Sequence, residues 1–197
     1  DRARRLAAES HSSATPRGEA LIYLLDRDAS GRLTVTPQRA RLRRHGGYGR
    51  LLPFAGMRRA PEGLLTAADR RLLRLLPETG CPVNPDDAYF LLQALAATGH
   101  AHWQQPDAAA IQAAPAIEGA FAWQSLADGS QRLAVDAGAG RLALAAQPPL
   151  WLAPASGTFG VIDTGLAPAL VAELQAGPVV APEEVPGLRE GGHHFYG

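Results

Sequence analysis

Lysine is missing from this chain: all nineteen of its basic side chains are arginines. Its absence removes the GxxxxGK[ST] phosphate loop, Schiff-base chemistry and any lysine acid or base. Cysteine occurs once, at Cys81, which excludes an intrachain disulfide and every zinc site that needs two or more thiolates. That usage fits a reducing compartment, so a soluble, cytoplasmic protein is expected. Long apolar runs are also lacking, because proline, glycine or arginine interrupts each one before the roughly 20 residues of a membrane span. No membrane partner is expected. Nineteen acidic residues balance the arginines to a net charge of zero, so no global field draws the chain to DNA or anionic lipid and any nucleic-acid contact must be local. There is no signal-peptide pattern, and the chain opens at Asp1 without a methionine, which reads as a piece of something longer.

What is present suits one domain with a real core. Residues 1–17 are polar and aperiodic, a linker or frayed helix. Ala20 to Asp26 and Arg32 to Thr36 read as strands joined by turn chemistry at Asp28, Ser30 and Gly31. Gln38 to Arg44 continues as strand, and Gly46, Gly47 and Gly49 end it. Thr66 to Leu76 is the clearest helix, with Thr66 as cap, Asp69 three residues on and Pro77 as stop. A second helix runs from Asp86 or Asp87 to Thr98, burying Phe90, Leu91, Leu95 and Leu92, with Gly99 as terminator. Phe121 to Leu126 and Arg132 to Val135 flank Asp128-Gly129 as a hairpin, and Arg141 to Ala145 pairs next as a meander. Pro168 opens a third helix with Leu170, Val171 and Leu174 on one face. The fold class is therefore α+β, dominated by β-hairpins and meander, with about three short packed helices. One domain covers 18–182, and 183–197 is a tail or a linker toward a following domain.

Few polar constellations suggest chemistry. His100 and His102 would share a face of a strand, but two ligands do not make a metal site, and a third would have to come from Asp107 or His45. Strand packing beside Trp103 is the preferred reading, and no metal is assigned. Gly138, Gly140 and Ala143 match the spacing of a dinucleotide fingerprint, with Asp163 where a ribose-binding acid would stand. The segment before Pro148-Pro149 is too short for the helix that must receive the pyrophosphate, so a turn is preferred. Asp86-Asp87 and Glu183-Glu184 read as caps or linker decoration. No catalytic set emerges.

Arginine is the polar residue that clusters. Arg39, Arg41, Arg43, Arg44, Arg50, Arg58 and Arg59 fall within one third of the chain, and Arg70, Arg71 and Arg74 extend the set onto a helix. Guanidinium forks suit phosphates, and Tyr48 and Trp103 would be available to stack on bases. The alternative is a solvated face or ion pairs with a partner domain.

In order along the chain, ALAATGHAHW, FAWQSLADGSQRLAV, PPLWLAP and SGTFGVIDTGLAPALVAELQAGPVV resemble the region preceding the motor in bacterial Swi/Snf-type ATP-dependent DNA helicases. The likeness spans about Leu64 to Pro182, with His100 where arginine is usual and Leu152-Ala153 where the turn usually has tyrosine or leucine followed by aspartate. The resemblance implies a non-catalytic accessory domain that helps a DNA translocase engage DNA or regulates its motor. The motor domain of the same polypeptide would be its partner and would hold ATP and Mg, with no cofactor in this chain. Trp123, Trp151, Phe121 and Phe159 would then be mainly core. The alternative is a protein-interaction scaffold that touches another protein and no nucleic acid.

Overall fold

A computed structural model of the chain describes residues 18–54, 65–76, 81–177 and 179–184. The readings of 1–17 and of most of the 183–197 tail lie outside them. β1 (Glu19–Arg27) and β2 (Leu33–Leu42) form an antiparallel hairpin, with Glu19 opposite Arg41 and Arg27 opposite Leu33. Its turn is built by Asp28, whose Oδ1 accepts from the backbone N–H groups of Ser30 and Arg32, each at 2.9 Å. Gly31, at φ 85°, supplies the left-handed residue the turn requires. Gly46 and Gly47 do end β2, but β3 (Tyr48–Pro53) begins at once and pairs back on it. Glycines that stop one strand here serve as the turn into the next.

After β3 the chain leaves the sheet through two helices, α1 (Ala67–Leu75) and α2 (Ala88–Thr98), and returns as β4 (Ala101–Trp103) parallel to β1. A parallel partner demands a long crossover, and helices fill it. The first sheet is ordered β3-β2-β1-β4. α1 carries the expected capping box: Asp69 N–H donates to Thr66 Oγ1 at 3.1 Å, and Thr66 N–H donates to Asp69 Oδ2 at 2.9 Å. α2 ends at Gly99 in the left-handed conformation, φ 70°. Its stripe is Leu91, Leu92 and Leu95, all buried, whereas Phe90 is 80% exposed. An alanine-rich helix has several faces that pass for apolar, and packing chose the one without Phe90.

The second sheet contains β5 (Gln112–Ala113), β6 (Ile117–Glu118), β9 (Leu142–Leu144), β10 (Leu150–Ala153) and β11 (Thr158–Asp163), ordered β5-β11-β10-β9 with β6 also on β11. β7 (Ala120–Ser125) and β8 (Gln131–Asp136) make a separate hairpin, and α3 (Pro168–Gln175) packs near β8. Two readings change. The segment Arg141 to Ala145 does not continue the β7–β8 meander; β9 pairs with β10 instead. The PPLWLAP segment is mostly strand β10, whose Leu150, Trp151 and Leu152 are all buried. Prolines at its start signal a turn, but buried apolar residues on both faces mark an inner strand.

One core joins Leu21, Tyr23 and Leu25 of β1 to Leu72, Leu92 and Leu95 of the helices and to Leu150, Leu152 and Phe159 of the second sheet. A smaller cluster around Trp151 and Ile162 lies beneath the β7–β8 hairpin. Trp123 is not core, at 47% exposure: it shares the β7 face of Phe121, which packs on the smaller cluster, but lies two residues farther along the strand toward the hairpin turn. The class is a β-dominated α+β fold with eleven strands and three helices described.

Candidate nucleic-acid interface

Strand alternation decides where each arginine of the β2–β3 hairpin projects. Leu21 faces Arg39, and Tyr23 faces Pro37, so Arg39 and Arg41 leave the sheet on the side that carries α1. Tyr23 fixes α1 on that side, since its hydroxyl donates to Asp69 Oδ1 at 2.8 Å. Burial, then the negative charge and hydrogen bond of Asp69, raises the pKa of Tyr23 far above the usual tyrosine value, so the hydroxyl stays protonated. Arg50 lies in the register shift of β3 opposite Arg41, between Leu51, which faces Ala40, and Tyr48, which faces Leu42. Arg43 and Arg44 sit in the turn itself, closed by Arg43 N–H to Gly47 O at 3.1 Å and Gly46 N–H to Arg43 O at 3.2 Å. Arg41, Arg43, Arg44 and Arg50 are all exposed.

Two carboxylates answer this charge. Glu19 lies 3.9 Å from Arg39, and Asp107 lies 3.9 Å from Arg43. Both pairs are long, the first half-buried and the second open to solvent, so each is worth a fraction of a kcal/mol up to about 1. They do not lock the arginines against a competing phosphate. Arg70, Arg71 and Arg74 are exposed on the outer side of α1, with Arg74 Nε donating to Arg70 O at 3.2 Å. Arg58 and Arg59 lie outside the described residues.

The aromatic residues expected to stack on bases are spent elsewhere. Trp103 is 5% exposed within the main core. Tyr48 donates to or accepts from His100 Nδ1 at 3.0 Å and packs its ring against His102, with centroids 5.3 Å apart at 72°. The two histidines do share a strand face, as alternation requires. His102 turns its Nδ1 to Ala108 O at 2.8 Å and is buried. Burial holds His100 below the usual imidazole pKa, with the charge of Asp69 opposing and His102 adding to the shift. Asp107 is directed to Arg43, and His45 is exposed in the hairpin turn. No group of three or more potential metal ligands occurs among the described residues.

Local sequence gave no sign of a second guanidinium group. Arg27, Arg132 and Arg141, over a hundred positions apart at the extremes, line one cavity. No spacing rule links them, because they meet only where the β1–β2 turn packs on the β9 segment, through Ala145 N–H to Gly31 O at 2.8 Å, beside strand β8. No protein-family model, no curated protein and no solved structure matches this chain. No helix among the described residues is long and apolar enough to cross a membrane.

Proposed function

We propose that this chain is a non-catalytic accessory domain of a cytoplasmic Swi/Snf-type DNA translocase, and that it engages the DNA backbone through the turn end of the β2–β3 hairpin. The observation that carries the reading is the concentration of exposed guanidinium groups at Arg41, Arg43, Arg44 and Arg50 around the β2–β3 turn, with two weakly held carboxylates beside them among the described residues. Such a surface reads phosphate and not base sequence. With Trp103 buried and Tyr48 held against His100 and His102, binding is mainly electrostatic and indifferent to sequence. ATP and Mg belong to the motor in this reading, since a chain without lysine lacks the cation of a phosphate loop.

Titration of a labelled duplex at several salt concentrations tests the proposal. Four arginines each neutralising one phosphate give a slope of log K against log salt of roughly −3.6, and Arg41→Ala/Arg43→Ala brings it to about −1.8. Arg70→Ala/Arg74→Ala reports whether α1 extends the footprint. No binding at low salt, or a slope unchanged in both double variants, refutes the DNA reading. The scaffold reading then takes its place, favoured by an apolar groove of about 470 Å³ lined by Pro148, Pro149, Val161, Leu166 and Val171.

A further inference from the structure

A cavity of about 300 Å³ lies away from the β2–β3 turn, walled by the β1–β2 turn, the β7–β8 hairpin and β9. Arg27, Arg132 and Arg141 line it with Ser30, Gln124 and Gln175. The one carboxylate on the wall among the described residues, Asp136, has its Oδ1 accepting from Gly138 N–H at 2.8 Å. None of the three guanidinium groups takes part in an ion pair among the described residues.

Their hydrogen bonds leave most donors unused. Arg27 Nη1 donates to Ala143 O at 3.3 Å, and Arg141 Nη1 donates to Ala137 O at 3.4 Å, both long. Arg141 is oriented by Trp151, its guanidinium carbon 5.1 Å from the ring centroid. Arg132 Nε is buried and meets no acceptor among the described residues. Three guanidinium groups against the single carboxylate of Asp136 leave the hollow with an excess of positive charge. An oxyanion in the hollow answers that excess and the unused Nη donors of Arg27 and Arg141.

We propose that this cavity binds a small ligand through a phosphate or diphosphate group. A carboxylate offers one charge and two oxygens, whereas a phosphate offers close to two charges and three acceptor oxygens, a better match to three forks. The volume is at the lower end for ligand sites and suits a diphosphate or a terminal phosphate with little attached to it. The site goes beyond the translocase reading and stands without it.

Calorimetric titration of the full chain with inorganic pyrophosphate, at ionic strength held constant with sodium chloride, tests the proposal. Saturable binding to one site is expected, weakened about tenfold or more by Arg27→Gln and by Arg141→Gln. Both residues are exposed, and circular dichroism of each variant checks that the fold is kept. Arg41→Ala/Arg43→Ala should leave pyrophosphate affinity unchanged, which separates this site from the hairpin surface. A parallel arm with a short oligonucleotide, with and without a 5′-phosphate, distinguishes a nucleic-acid end from a free phosphorylated ligand. No saturable binding of pyrophosphate at millimolar concentration, or affinity retained in either folded single variant, overturns the proposal.

Discussion

Replacing Tyr23 by phenylalanine removes one oxygen from the centre of the protein and tests how α1 is held to the sheet. The residue is fully buried, and its hydroxyl reaches Asp69 Oδ1 at 2.8 Å. The ring remains after substitution, so no cavity opens and the loss is that of one hydrogen bond to a charged acceptor, about 1.5–3 kcal/mol. Asp69 is itself 7% exposed, and its other oxygen accepts from Thr66 N–H at 2.9 Å and from the Thr66 hydroxyl at 2.7 Å. The carboxylate therefore couples the helix cap to β1. For a domain of this size, a loss of about 2 kcal/mol lowers the midpoint of thermal unfolding by roughly 4–8 °C. Urea unfolding of wild type, Tyr23→Phe, Asp69→Ala and the double variant completes the cycle. In the Asp69→Ala background the hydroxyl has no partner, and Tyr23→Phe should cost nothing or stabilise. A loss below about 0.5 kcal/mol in the single variant, or the same loss in both backgrounds, would refute the idea that this contact fastens α1.

Three further outcomes follow from the geometry. Gly160→Ala should destabilise by about 1–3 kcal/mol in chemical denaturation, because an added Cβ would stand 2.8 Å from both Pro115 O and Trp151 Nε1; Gly99→Ala, whose Cβ would meet nothing within 4 Å, should cost only its left-handed strain of roughly 1–2 kcal/mol. His100, held low chiefly by burial, takes up its proton at lower pH than the unfolded chain does, so its contribution is present above about pH 6.5 and declines as the pH falls through its folded value; an NMR titration of the imidazole that shows a normal or raised pKa would contradict the partial burial of the ring against Tyr48. Asp128 is held below the usual carboxylate range first by the Ser130 hydroxyl and then by the Ser130 N–H, so its contribution is present above about pH 4 and is lost on further acidification; Ser130→Ala should return its carboxyl titration toward the ordinary value.

Local chemistry was enough to read much of the chain. Thr66 and Asp69 marked the start of α1, Gly99 the end of α2, Asp28 to Gly31 and Asp128-Gly129 the two hairpin turns, and Pro168 the start of α3. Each is a signal among residues a few positions apart, where backbone sterics and short hydrogen bonds act without help from the rest of the fold. The clustered arginines of β2 and its turn were legible for the same reason, since two-residue alternation places them once the strand is known.

Only the tertiary structure decided the contacts between distant segments. β4 joins β1 after a helical crossover, and β9 takes β10 as its neighbour in place of β8, choices made by which apolar faces bury together. The same packing buries Trp103, holds Tyr48 half-buried against His102, turns Phe90 and Trp123 outward, and gathers Arg27, Arg132 and Arg141 about one cavity. Burial is a property of the assembled layers and has no local signature. A residue's type states what it would bind, and the fold determines whether it is free to do so.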